Sequence, residues 1–124
     1  MTNDADRQLY ERAVAIAKRA YAPYSNFHVG AAVRARDGRI FEGVNVENAA
    51  YPLGVCAEKS ALSAAVTDGY KPGDLEAIAI TASPCGGCRQ WLVELKLDRV
   101  IYADNAGDVV TATPAELLPD TFVL

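Results

Sequence analysis

The chain has 124 residues, about half of them apolar, with a formal charge of -4. That length supports one core and leaves no room for a second, so a single domain over residues 1–124 is expected. The acidic balance, with Lys and Arg scattered among acids, excludes a surface built to neutralise a polynucleotide backbone and fits a small or neutral substrate.

No run approaches the roughly 18 uninterrupted apolar residues of a membrane span, and the first residues are acidic and polar, so a soluble cytoplasmic protein is expected. Residues 4–20 carry Leu9, Ala13, Ile16, Ala17 and Ala20 at helical spacing, which predicts an amphipathic helix. It stops before Ala22-Pro23, because a residue preceding proline is pushed out of the helical region. Phe27, Val29, Ala31 and Val33 then alternate, and beyond the hairpin signal Arg36-Asp37-Gly38 residues 40–46 form a second, antiparallel strand. Pro52 and Gly54 punctuate the chain before Cys56, after which small apolar residues predict a buried helix ending near Gly69. Residues 76–80 read as a strand, 85–95 as a helix and 99–103 as another strand, the pattern of a parallel crossover. Val109-Val110-Thr111 forms a short last strand, and Thr113-Pro114 opens a terminal turn of helix. The sum is an α/β fold with three layers, α/β/α, around a mixed five-stranded sheet.

The three cysteines cannot pair fully within one chain, and each lies beside residues that can start a helix: Cys56 after Pro52 and Gly54, Cys85 and Cys88 in Pro84-Cys85-Gly86-Gly87-Cys88. Helix N-termini present unpaired amides and a positive dipole end, which favour the thiolate that binds metal. Three thiolates suit zinc, whereas an iron–sulfur cluster ordinarily wants a fourth cysteine. Three protein ligands leave one tetrahedral position open, the mark of a catalytic centre, and Glu58, two residues after Cys56, is placed to handle protons. The rival is a closed site that recruits His28, the only histidine, as fourth ligand and makes the chain a non-catalytic zinc module. It leaves Glu58 without a task, and the alternation sets His28 on the strand face opposite Phe27 and Val29.

Cys56-Ala57-Glu58 followed by Pro84-Cys85-Gly86-Gly87-Cys88 resembles the signature of the cytidine deaminase superfamily. The segments Tyr24-Ser25-Asn26-Phe27-His28-Val29-Gly30-Ala31-Ala32 and Asn45-Val46-Glu47-Asn48-Ala49-Ala50 look like those that hold the nucleoside in the short, homotetrameric cytidine deaminases. The resemblance implies one zinc ion per subunit on Cys56, Cys85 and Cys88, with Glu58 shuttling protons between water, ring N3 and the departing amine. It implies that the Ala57 amide binds the base carbonyl, that Phe27 lies under the pyrimidine, and that Asn45 and Glu47 grasp ribose hydroxyls. The last pair shares strand parity, so both side chains leave one face. Tyr51 and Phe122 match aromatics that, in tetrameric relatives, help build the site of an adjacent subunit.

Where the family commonly has arginine after Cys-Ala-Glu this chain has Lys59, a point charge in place of a fork that can donate to two sulfurs. Arg89, just after Cys88, is expected to share the task of offsetting thiolate charge. The function expected is hydrolysis of cytidine and deoxycytidine to uridine and deoxyuridine in pyrimidine salvage, by a homotetramer with sites at its subunit interfaces. The alternative inside the enzyme class is a deaminase of another aminopyrimidine nucleoside, of the blasticidin type.

Overall fold

The order of elements follows from where the chain can and cannot keep regular hydrogen bonding, and it is seen in a computed structural model that describes residues 3–124. The first two positions of the expected domain lie outside the described residues. Helix α1 (Asp4–Ile16) begins where the Asn3 side chain accepts from the Asp6 amide, and a short 3-10 turn, Ala17–Arg19, ends it ahead of Pro23. Strands β1 (Gly30–Ala35) and β2 (Ile40–Val44) form the expected hairpin, and helix α2 (Ala57–Thr67) follows a 3-10 turn at Tyr51–Leu53. Strand β3 (Leu75–Ile80), helix α3 (Gly86–Glu94) and strand β4 (Arg99–Ala103) make the crossover. Strand β5 (Val109–Ala112) leads into helix α4 (Pro114–Leu117), which Thr113 and Glu116 open with a reciprocal capping box.

The five strands form one sheet in the order β2-β1-β3-β4-β5, with β3 and β4 parallel and the other pairs antiparallel. Alternation along β1 divides the core. Ala31, Val33 and Ala35 face α2 and α3, where they meet Ala61, Leu62, Ala65 and Leu92, while Ala32 faces α1 and packs with Leu9, Ala13 and Ile101. The result is the three-layer mixed sheet expected from the sequence.

The first helix gives way to its 3-10 turn after Ile16, short of the expected residue 20, and two strand boundaries also differ from expectation. Residues 27–29 are not strand, so His28 and Phe27 are not on opposite faces of one; both are exposed in the loop that precedes Gly30. The second strand ends at Val44 instead of residue 46, and Val46 is held by isolated bridges to Tyr21 and Val55. Asn45 and Glu47 thus flank a bridge residue in extended backbone, which preserves their shared side.

Close backbone contact sets the spacing of the layers. A Cβ at Gly30 would stand 2.0 Å from the Ala13 carbonyl oxygen of α1, and one at Gly43 would stand 2.3 Å from the Ala61 nitrogen of α2. Both helices therefore rest directly on the sheet, and Ser60 adds a hydrogen bond to the Val44 carbonyl at 2.9 Å.

At the other end of α1, Asp6 is buried, with both carboxylate oxygens engaged by Arg34 (2.7 Å) and Arg99 (2.6 and 3.0 Å). Burial alone would raise its pKa, but hydrogen bonds from Arg99 and Arg34 outweigh burial and hold it below the ordinary carboxylate value. A depressed carboxylate contributes stability above its unfolded pKa and loses it as pH falls through the folded one. Asp6→Asn should therefore cost about 2 kcal/mol in urea unfolding at pH 7, and the gap from wild type should narrow below about pH 4. A gap that stayed constant to pH 3 would show that charge pairing is not its source.

Candidate active site

The three cysteines occupy the mouths of two helices. Cys56 is the N-cap of α2 and Cys85 the N-cap of α3, each in extended backbone with no capping bond made by its side chain. Cys88 lies in the first turn of α3 and is buried. Their Sγ atoms all lie within 4.8 Å of one another. The positive ends of both helices thus point at one cluster of sulfurs. Hydrogen bonding from Cys88 lowers the Cys56 thiol to about 6 against the cost of burial, with help from Cys85 and the charge of Lys59. The Cys88 thiol moves upward, because the proton is shared toward Cys56, the group is buried, and Glu58 and Cys56 face it.

Glu58 sits in the first turn of α2, 4% exposed. Burial raises its pKa above the ordinary carboxylate value, and the neighbouring Cys56 charge adds to the rise. A carboxyl so placed holds a proton more readily than a solvated one. Lys59 reaches across to Trp91, its ammonium 5.9 Å from the ring centroid, and remains close enough to act on Cys56 electrostatically.

Arg89 departs from its expected task. Its Nε donates to the Pro84 carbonyl at 2.8 Å, and its terminal nitrogens donate to the Leu117 carbonyl at 2.9 Å and to Ser83 Oγ at 3.3 Å. The carbonyls at the end of α4 lack helical partners, and the guanidinium satisfies one of them while bracing the loop before Cys85. Its hydrogen bonds go to oxygen, not sulfur.

A cavity of about 320 Å³ opens over the sulfurs, lined by Cys56, Ala57, Glu58 and Cys85 and by Phe27, Asn45, Glu47 and Tyr51. Asn45 Oδ1 accepts from the Val29 amide at 2.9 Å, and its Nδ2 donates to the Phe27 carbonyl at 2.8 Å. Glu47 is buried; Oε1 accepts from the amides of Tyr24 and Ser25, each at 3.0 Å, and Oε2 accepts from the Ser25 hydroxyl. These bonds, the Ser25 hydroxyl foremost, hold its carboxyl below the ordinary value. The Phe27 ring is 60% exposed, so it belongs to the cavity wall and not to the core. Tyr51, also 60% exposed, lines the cavity of its own chain, whereas Phe122, 71% exposed near the C-terminus, does not. His28 lies beside Glu47 and outside the thiol cluster, which removes the closed four-ligand site among the described residues.

Residues 3–104 match the sequence profile of the cytidine and deoxycytidylate deaminase zinc-binding region. The chain belongs to that deaminase family. It is 44% identical to a cytidine deaminase of Halalkalibacterium halodurans over 94% of each chain, and 41% identical to a probable cytidine deaminase of Dictyostelium discoideum over 83% of this chain and 74% of the relative. Among solved structures, cytidine deaminase from Burkholderia pseudomallei superposes with a TM-score of 0.88 at 45% identity, covering 98% of this chain and all of the other. The enzyme from Mycobacterium tuberculosis superposes at 0.82 with 36% identity, covering 99% of this chain.

The donor set of this family member fits the metal its family is described by. Tetrahedral zinc–thiolate bonds of about 2.3 Å put sulfurs about 3.8 Å apart, a spacing compatible with three Sγ atoms clustered within 4.8 Å of one another. Sequence reasoning did not single out Ser25 or Ser83, both of which line the cavity. The signal for Ser25 was a hydroxyl two residues ahead of Phe27, a spacing at which serine can capture a following backbone amide.

Proposed function

We propose that this chain hydrolyses cytidine and deoxycytidine to uridine and deoxyuridine with release of ammonia, in pyrimidine salvage. The observation that carries the reading is one cavity lined by Cys56, Cys85 and a buried Glu58 together with Asn45 and Glu47, with the Cys88 sulfur clustered behind the other two. One zinc ion per subunit on Cys56, Cys85 and Cys88 would supply a Lewis acid that brings the pKa of water toward neutrality. Glu58 takes the first proton of the attacking water and delivers it to ring N3 as the C4–O bond forms. It then carries the second proton to the exocyclic amine, so that the C4–N bond breaks, ammonia leaves and the C4 carbonyl remains. One carboxyl serves both steps because burial has raised its affinity for a proton.

The Ala57 amide, first in its helix and so outside the helical ladder, meets the base carbonyl. Phe27 supports the pyrimidine face, and Asn45 and Glu47 receive the ribose hydroxyls. Lys59 offsets part of the thiolate charge, and Arg89 acts at one remove by bracing the loop that carries Cys85.

The relatives named as cytidine deaminases favour a nucleoside over the nucleotide that the family description also covers. The cavity supports the same choice. Among its described lining residues there is no Lys, Arg or His to receive a phosphate, and there are two carboxylates to repel one. The assembly proposed is a homotetramer, supported by the exposed aromatics Tyr21, Tyr24 and Tyr51, the last of them in the cavity wall. In it, Phe122 of one subunit reaches a neighbour's site. No helix among the described residues is long and apolar enough to cross a membrane, and three free thiols suit a reducing cytoplasm.

The test is ultraviolet assay of the purified protein on cytidine and on cytidine 5'-monophosphate. Turnover of cytidine, with the monophosphate at least about a hundredfold poorer in kcat/KM, is expected from facing two buried acids with a dianion. Preference for the monophosphate would overturn the assignment.

A further inference from the structure

We infer that Ser25 is a positioning residue of this site, joining the carboxylate that receives the sugar to the aromatic that supports the base; the inference rests on the proposed nucleoside reading. The Ser25 hydroxyl has one proton and two lone pairs. Its proton goes to Glu47 Oε2, and its oxygen accepts from the Phe27 amide at 3.0 Å. A single side chain, itself exposed on the loop, therefore fixes the rotamer of Glu47 and the main chain of Phe27 together.

Core packing does not hold the aromatic. The Phe27 ring is more than half exposed and has no buried socket, so the ring is held through its backbone: Ser25 takes its amide, and Asn45 Nδ2 holds its carbonyl at 2.8 Å. Between these anchors Asn26 adopts φ 58, a left-handed turn that asparagine tolerates. Glu47 in turn receives three donors from Tyr24 and Ser25, but the two amides both meet Oε1. Only the serine hydroxyl meets Oε2, so it decides the rotation of the carboxylate plane and which lone pairs remain for a ligand. Substrate hydroxyls and the base thus meet surfaces whose relative placement passes through one oxygen atom.

Ser25→Ala removes that oxygen from an exposed loop position and is expected to fold, with a thermal midpoint lower by a few degrees at most. KM for cytidine should rise about tenfold, the loss of one charge-assisted hydrogen bond, while kcat changes less than about threefold because Glu58 and the sulfurs are untouched. On 2',3'-dideoxycytidine, which lacks the hydroxyls that Glu47 receives, the rise in KM should be at most about a third as large. Ser25→Thr keeps the hydroxyl and should restore wild-type KM on both substrates. Equal penalties on the two substrates, a fall confined to kcat, or a threonine variant as impaired as alanine would each overturn the inference, and the threonine comparison stands even if the alanine variant does not fold. If wild type fails to turn over cytidine, the nucleoside reading itself fails, an outcome separate from any of these.

Discussion

Glu58→Gln is expected to fold, to keep its metal and to lose at least about a thousandfold in kcat, since general acid and general base roles are each worth 10² to 10⁴ and one group performs both. Glutamine matches the shape of the side chain and can still hydrogen-bond, but it neither accepts nor releases a proton. The substitution should not destabilise the protein. Burial disfavours the charged form of Glu58 at neutral pH, so a neutral replacement relieves that penalty and the thermal midpoint should stay the same or rise. The measurements are steady-state turnover of cytidine, zinc content by elemental analysis, and thermal unfolding. A glutamine variant as active as its parent would remove Glu58 from the proton transfers and with it the proposed chemistry.

Cys88→Ser should act in the opposite way, through the ion. Hydroxyl oxygen is a poor substitute for thiolate toward zinc, and the buried position of Cys88 keeps other donors from replacing it. Zinc affinity is expected to fall by more than about a hundredfold, beyond the loss seen when only an outer hydrogen-bonding partner of a ligand is removed. Competition with a chromogenic chelator reads that change directly, without reference to turnover. Because the sulfurs come from two helices, an ion that binds only the folded chain ties α2 to α3. Wild-type protein should therefore show a thermal midpoint that rises with zinc, and the serine variant one that does not. Retention of stoichiometric zinc by the variant would mean that the three sulfurs are not the ligand set.

The cysteines and Glu58 could be read before the fold was known because helix-starting residues stand next to each of them. A thiol at a helix mouth carries its physical consequence locally. The sheet was legible for a similar reason: residues 76–80 and 99–103 are unbroken apolar runs, and the structure pairs them in parallel through Ala77–Arg99 to Ile80–Tyr102. What escaped depends on partners far away in sequence. Phe27 and Val29 continue the alternation of a strand, yet capture of their backbone by Asn45, 18 and 16 residues on, ends the ladder at Gly30. Arg89 looks like a partner for sulfur until Leu117, 28 residues later, offers an unsatisfied carbonyl. The anchoring of Asp6 by Arg99 spans 93 positions, and nothing near either residue announces it.

The contact at Gly43 has a bearing on how this scaffold can diversify. With the backbone of α2 lying against a position that has no side chain, even one added methyl group would push the helix, and the sulfur and carboxyl at its mouth, away from the sheet. Evolution or engineering toward other bases has little freedom along that seam. Changes of specificity should instead accumulate in the connecting segments at the rim, where Phe27 and Tyr51 stand in solvent and can be exchanged without moving the reacting groups.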